Sequence, residues 1–271
     1  MELSGAVAVV TGASRGIGRD IAAAYAAKGV RTAMVASGHQ MLRAAAEELR
    51  STGAEVLPVV CDITSPQQVE AMVERVCDQW APPDIVVNNA GSLSAIGPIW
   101  EVSPERWKRD LDVNLLGTFL VCRAALGHMV RRKAGYVINV VTYMGDPHRY
   151  ATAYDASKVG AVRLTEAVAW EAGEFGVKAF ALYPGTVPTA MARFLLESPE
   201  GRKYRPDFKE MVDAGRIVST APAVRCALEL VSSRFDALSG RYLDATQDLD
   251  EILRQADSIL AENRLTLRLR K

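Results

Sequence analysis

The chain has 271 residues, 49% of them hydrophobic and 24% charged, which is enough apolar material for one large α/β core. Lys plus Arg equals Asp plus Glu at 32 each, so the formal net charge is zero. No nucleic-acid surface is expected, because the basic tail of Arg268, Arg270 and Lys271 is too short to make one.

Short β-branched runs alternate with helical patterns along the chain. Strands are predicted at 7–10, 31–36, 55–60, 85–87, 136–141 and 177–183, and helices at 16–28, 40–51, 66–79, 104–131 and 152–175. Ser65-Pro66-Gln67-Gln68 places a cap, a first-turn proline and a reciprocal glutamine before the third helix; Ser103-Pro104 repeats the first two before the fourth. The strands are nearly continuous apolar runs, as burial of both faces requires. With no linker or repeat, this alternation predicts one α/β domain over 1–271, a doubly wound parallel sheet with helices on both faces.

Residues 186–219 break the rhythm. They are long, polar and punctuated by Pro188, Pro199, Gly201, Pro206 and Gly215, so a mobile substrate flap is expected, an ordinary surface insertion being the alternative. In the C-terminal extension 244–271, Leu249, Ile252, Leu253, Ala256, Ile259 and Leu260 predict a helix over 248–262. The alternation Leu265-Thr266-Leu267-Arg268-Leu269-Arg270 then predicts a half-buried strand. Left open, that leucine row is an aggregation-prone edge, so the tail is expected to dock on a sheet or groove of a neighbouring subunit, the alternative being a frayed terminus or one folded on its own domain.

Cys61, Cys77, Cys122 and Cys226 form no C-x-x-C pair and share no ligand spacing with His39, His128 and His148, so buried free thiols are expected and a metal site is not. No basic segment leads into an apolar run at the N-terminus, and no stretch of about 18 uninterrupted apolar residues occurs. A soluble, cytoplasmic chain without a membrane partner is the expectation.

Thr11-Gly12-Ala13-Ser14-Arg15-Gly16-Ile17-Gly18 follows the first strand and opens the first helix. Glycines there supply dihedrals closed to residues with a Cβ and let backbone N–H groups approach a pyrophosphate at the helix N-terminus. Gly18 also lets that helix pack tightly on the sheet. A tight structural turn gives the same letters, but the strand before and helix after point to nucleotide binding.

T-G-x-x-x-G-x-G resembles the cofactor motif of the short-chain dehydrogenase/reductase family. Asn88-Asn89-Ala90-Gly91 follows the fourth strand, Asn114 stands in Asp112-Val113-Asn114, and Tyr154-Asp155-Ala156-Ser157-Lys158 matches Y-x-x-x-K. Pro184-Gly185-Thr186-Val187-Pro188-Thr189 then matches the proline-glycine motif after the sixth strand. The resemblance implies a Rossmann fold and an oxidoreductase moving a hydride between a nicotinamide and a small-molecule ketone or secondary alcohol, 3-oxoacyl thioesters included. It implies cofactor contacts from Gly12, Ser14, Arg15, Gly16, Ile17, Gly18, Asn89, Ala90, Gly91, Tyr154, Pro184, Gly185 and Val187. Thr189 would hold the carboxamide, Lys158 the nicotinamide ribose, and Asp62 the adenine, unless Asp62 only caps the helix at Ser65. Asn114 would support a water-mediated proton relay through Lys158, the alternative being a helix-interior amide bonded to backbone. A homodimer or homotetramer is implied as well.

Folds specific for NAD commonly set an acidic side chain about 20 residues past the glycine motif, on the ribose 2′-OH. Here the second strand ends Val35-Ala36-Ser37-Gly38-His39 and the next carboxylate is Glu47. Nothing acidic repels a 2′-phosphate, and Arg15 and Ser37 are placed to hold one. NADP is expected, with NAD as the alternative.

Hydride reduction of a ketone needs a proton donor at the oxygen. Tyr154 and Lys158, four residues apart, share one helix face, and the lysine charge is expected to draw the tyrosine down from its ordinary pKa of about 10. Tyr136, Tyr143 and Tyr150 have no lysine four residues on. In Asn139-Val140-Val141-Thr142-Tyr143-Met144-Gly145, the family pattern N-x-x-S-x-x-G places Thr142 at its substrate-binding serine, while counting back from Tyr154 lands on Val141. Threonine keeps the hydroxyl and narrows the pocket. That departure leaves open a catalytically weak cofactor-binding sensor or scaffold of the same fold. Leu93, Met144, His148 and Phe194 are the expected pocket residues.

Overall fold

The apolar runs pair side by side into one seven-stranded sheet in the computed structural model, which describes residues 1–268. Strands β1 (Val7–Thr11), β2 (Arg31–Ala36), β3 (Val56–Val60), β4 (Ile85–Asn88), β5 (Gly135–Val140), β6 (Val177–Tyr183) and β7 (Tyr242–Asp244) all run parallel. Their order is β3-β2-β1-β4-β5-β6-β7. Side chains alternate across the pleat, so Val7 and Val9 join one apolar cluster with Val35, Val86, Val137 and Ala179. Ala8 and Val10 join the opposite one with Met34, Ile138, Phe180 and Leu182. Helices α1 (Gly16–Ala27) and α2 (His39–Arg50) cover the second cluster. The first is covered by α3 (Pro66–Gln79) and, beyond α4 (Pro104–Leu111), by α5 (Gly117–Arg132) and α6 (Thr152–Ala172).

The helix starts follow their capping chemistry. Ser65 Oγ accepts from Gln68 N at 3.4 Å, and Ser103 Oγ from Arg106 N at 3.2 Å. The reciprocal bond differs from a simple capping box. Gln68 Oε1 accepts from Asp62 N at 2.9 Å, so it closes on the turn before the cap.

Four expectations are corrected. The helix predicted at 104–131 is split by a π-helical turn, Asp112–Leu116, that carries Asn114; such insertions frequently mark functional sites. Residues 186–219 are not an irregular flap but contain α7 (Ala190–Glu197), α8 (Pro199–Tyr204) and α9 (Pro206–Asp213). Pro199 and Pro206 open helices, where a missing N–H costs nothing, and Leu195 and Phe208 bury against Ile96 and Ala151. The helix predicted at 248–262 is two, α11 (Leu249–Arg254) and α12 (Ala256–Ala261), after an unpredicted α10 (Ala221–Leu230) and β7.

The predicted terminal strand is the fourth. Leu265 takes φ +59°, which breaks extended backbone, while Leu269 and Arg270 lie outside the described residues. The tail docks on its own domain. Tyr242 N donates to Leu265 O at 2.8 Å, so the tail meets the free edge of β7, and Leu267 N donates to Glu166 Oε1 at 2.7 Å. Leu267 packs against Val141, Ala161, Val162 and Ala181.

Candidate active site

Strand order reverses between β1 and β4, and in open α/β sheets the crevice at such a switch point takes ligands. Here the two strand ends are laced together. Buried Thr11 Oγ1 accepts from the N–H groups of Asn89 at 3.0 Å and Ala90 at 3.1 Å, and Asn89 Nδ2 donates to the carbonyls of Thr11 at 3.0 Å and Gly12 at 3.3 Å. This lacing leaves no space for a Cβ. At Gly12 (φ +64°) one would stand 2.8 Å from Asn89 Nδ2; at Gly18, 2.3 Å from the same atom and 2.6 Å from Gly12 O.

Arg15 is the extended residue before α1, whose first turn holds no acidic side chain, so its free N–H groups and positive dipole end face the crevice uncompensated. A cradle cleared of side chains at a helix N-terminus fits the pyrophosphate of a dinucleotide. Gly91 continues it, where a Cβ would lie 3.3 Å from Asn114 Oδ1 and 3.7 Å from Lys158 Nζ. Arg15 and Ser37 are exposed on adjoining loops, which Ala13 N joins by donating to Val35 O at 3.0 Å. Ser14 lies half-buried between Gly12 and Arg15. Asp62 is exposed and its carboxylate accepts from Thr64 N at 3.0 Å and Thr64 Oγ1 at 2.8 Å; these bonds hold its pKa below the usual range. Asp62 thus shapes the turn leading into α3 rather than capping that helix, a role Ser65 fills.

A cleft of about 820 Å³ opens from this cradle, lined by Ile17, Thr142, Tyr154, Pro184, Gly185, Val187 and Thr189 among others. Gly185 is required there: φ is +81° and a Cβ would meet Val218 at 2.6 Å and Thr246 at 2.8 Å. Thr189 caps α7 by accepting from Ala192 N at 3.4 Å, and its methyl lies 3.5 Å from where a Cβ on Gly16 (φ +58°) would stand. Of the expected pocket residues, Leu93 and His148 line the cleft. Met144 and Phe194 turn into apolar clusters instead, and Met191, Ala192 and Leu195 supply the α7 wall.

Tyr154 stands in the first turns of α6. Burial pushes its hydroxyl up to about 12; a hydrogen bond with the Thr142 side chain pulls the other way, and Asp155 adds to the rise. Thr142, 8% exposed, and Tyr154 line the same cleft, as does the apolar side chain of Val141. Lys158 is 5% exposed, and its Nζ donates to Val140 O at 2.8 Å; burial brings its pKa down to about 8. The ammonium lies 5.9 Å from the centre of the Tyr154 ring. Burial is the largest influence on both groups.

Asn114 makes three side-chain hydrogen bonds. Its Oδ1 accepts from Ser92 N at 2.8 Å, and its Nδ2 donates to Ser92 O at 2.8 Å and Ser157 Oγ at 3.0 Å; Ser157 Oγ donates on to Tyr154 O at 2.8 Å. The amide ties the loop after Gly91 to the helix turn bearing Tyr154, and the structure gives it no bond to Lys158. The same loop is gripped by a residue that sequence reading missed. Asp110, fully buried, accepts from Ser92 Oγ at 2.5 Å, Ser94 N at 2.8 Å, Ser94 Oγ at 2.8 Å and Ala95 N at 2.9 Å. In the run Lys108-Arg109-Asp110-Leu111-Asp112 it reads as one more solvated charge, and no local signal singles it out.

Comparison with known proteins agrees with this geometry. The short chain dehydrogenase family profile matches residues 6–200. A short chain dehydrogenase of Pseudocercospora fijiensis is 31% identical, the match covering 94% of this chain and 85% of that protein. A Streptomyces violaceoruber protein named for ketoacyl reduction in granaticin polyketide synthesis is 38% identical, over 88% of this chain and 90% of its own. Among solved structures, a variant of the actinorhodin polyketide ketoreductase crystallised with NADPH superposes with a TM-score of 0.80 at 31% identity, covering 90% of this chain and 96% of that one.

Proposed function

The chain belongs to the short-chain dehydrogenase/reductase family, as a nicotinamide-dependent oxidoreductase of ketones and secondary alcohols, and from that premise we propose that it runs as an NADP(H)-preferring ketoreductase whose substrates include 3-oxoacyl thioesters. The observation that carries the proposal is that Thr142 and Tyr154 line one cleft together with Ile17 of the glycine loop.

The bound nicotinamide supplies the hydride, or takes it back in the reverse direction. Tyr154, kept protonated well above neutral pH by its burial, donates its proton to the oxygen of the substrate, and Thr142 holds that oxygen through its hydroxyl. Lys158, charged below a pH of about 8, holds the ribose end of the cofactor and restores positive potential beside the phenol. Asn114 and Asp110 act by position: they fix the loop after Gly91 against α6 so that these groups converge.

The preference for NADP(H) rests on exposed Arg15 and Ser37 at the lip of the cradle and on the lack of an acid between Ser37 and Glu47. A homodimer or homotetramer is supported by the exposed apolar side chains Leu116, Phe119, Val159 and Trp170. Oxidation of NADPH and NADH against a panel of ketones, 3-oxoacyl thioesters and sugars tests the assignment. Turnover is expected with NADPH, and Arg15→Ala is expected to weaken NADP(H) about tenfold while sparing NAD(H). Tight cofactor binding without turnover of any panel member is the outcome that favours a sensor or scaffold. Equal losses of both cofactors in Arg15→Ala remove the phosphate contact.

A further inference from the structure

One ring of the cleft has no part in the chemistry above. His148 lies on the connection between β5 and α6, and its main-chain N–H donates to Asp155 Oδ2 at 2.6 Å while its Nδ1 bonds Asp155 Oδ1 at 2.5 Å. Both side chains are mostly buried, at 23% and 20% exposure. His148 lines the cleft and Asp155 does not. The imidazole stands edge-on to the Tyr154 ring, with centroids 6.1 Å apart and planes at 86°.

The chemistry of this pair is directional. The Nδ1 bond to Asp155 occupies one ring nitrogen and leaves Nε2 as the ring's other hydrogen-bonding atom. With Nδ1 turned away to Asp155, the opposite edge of the ring is the one left for the cleft, and among the described residues Nε2 has no partner. Clamping the loop needs only the main-chain bond. The second bond, to the ring, fixes the ring's orientation, which is how second-line carboxylates aim histidines at ligands. Arg149, the next residue on this wall, stacks over the Tyr150 ring at 4.8 Å.

We propose that His148 is a specificity-determining residue whose Nε2 hydrogen-bonds a substrate hydroxyl lying within a few bonds of the carbonyl presented to Tyr154. The preferred substrates are then hydroxyketones, the enol forms of 1,3-diketones among them. This inference rests on the ketoreductase reading. A site built to bond a hydroxyl rejects the analogue lacking it far more strongly than an apolar pocket can, because the buried ring nitrogen is left unpaired.

The test compares a hydroxyketone with its O-methyl ether and its deoxy analogue, using NADPH, in wild type, His148→Phe, His148→Gln and Asp155→Asn. NADPH fluorescence verifies that each variant still binds cofactor. Wild type is expected to favour the hydroxyketone at least about tenfold in kcat/KM. His148→Phe keeps a ring against Tyr154 and is expected to erase that preference mainly through KM. His148→Gln, which retains a hydrogen-bonding side chain, recovers part of it, and Asp155→Asn loses it through a second residue. An unchanged preference in His148→Phe, the absence of any preference in wild type, or equal loss on all three ketones overturns the role given to His148. Wild type that binds NADPH and reduces none of the three overturns the reductase reading itself.

Discussion

The cradle at the ends of β1 and β4 and the cleft above it meet at Tyr154 but are made of different material. The cradle is almost all main chain. Gly12, Gly18 and Gly91 are defined by what their missing Cβ atoms would approach, and the side chains of Thr11 and Asn89 spend their polar atoms lacing backbone together. The cleft is almost all side chain, drawn from the β5–α6 connection, the loop after β6 and α7 to α9. One region has a single solution; the other can be relined without disturbing the sheet. That difference is what allows one fold to keep a cofactor while changing substrates.

The largest effect should fall on the substrate side alone. Tyr154→Phe removes the proton donor while keeping the ring, and kcat is expected to fall about 10³-fold with NADPH affinity unchanged by fluorescence titration. A parallel loss of affinity would mean that the two regions are not separable at this residue.

The reciprocal change attacks the cradle. Gly18→Ala puts a Cβ 2.3 Å from Asn89 Nδ2 and 2.6 Å from Gly12 O, with no flexible chain end able to yield at the carbonyl. Stability should drop by about 2–3 kcal/mol, and NADPH affinity by about a hundredfold as the lacing opens. Thermal melting and titration measure both; an unaltered melting curve would show that the lacing is softer than its distances imply.

Within the cleft, Thr142→Val keeps shape and deletes the hydroxyl. A loss of about ten- to a hundredfold in kcat/KM is expected, with Thr142→Ser close to wild type. A silent valine variant would transfer the oxygen contact to another donor, Tyr143 first.

The smallest effect is one of pH. The burial of Lys158 lowers its pKa from the ordinary 10.5 to about 8, while Tyr154 rises to about 12. Ketone reduction should therefore decline several-fold along a limb near pH 8 as the lysine discharges, with the tyrosine still protonated. The sign for stability is opposite. Between pH 8 and 10.5 the unfolded chain holds the extra proton, so the fold gains stability as pH rises through that window. Lys158→Met should flatten that gain, and melting curves recorded across the window check it; a slope unchanged in the variant would place its origin elsewhere.

The sequence alone carried the parallel sheet, its first six strands, the glycine loop, the Tyr154–Lys158 spacing and the two proline-opened helices at Pro66 and Pro104. Each of these is set by neighbours within a few residues: pleat alternation, φ access at glycine, a 3.6-residue turn, a cap. Tertiary structure decided the rest. It folded 186–219 into helices by giving Leu195 and Phe208 a buried surface, and laid the tail on Glu166 and Tyr242. It turned Asp110 from a surface charge into the buried anchor of the loop after Gly91, and it buried Lys158 beside the Tyr154 ring. Burial and hydrogen-bond partnership are contributed by segments far apart in the chain, so no local pattern of residues encodes them.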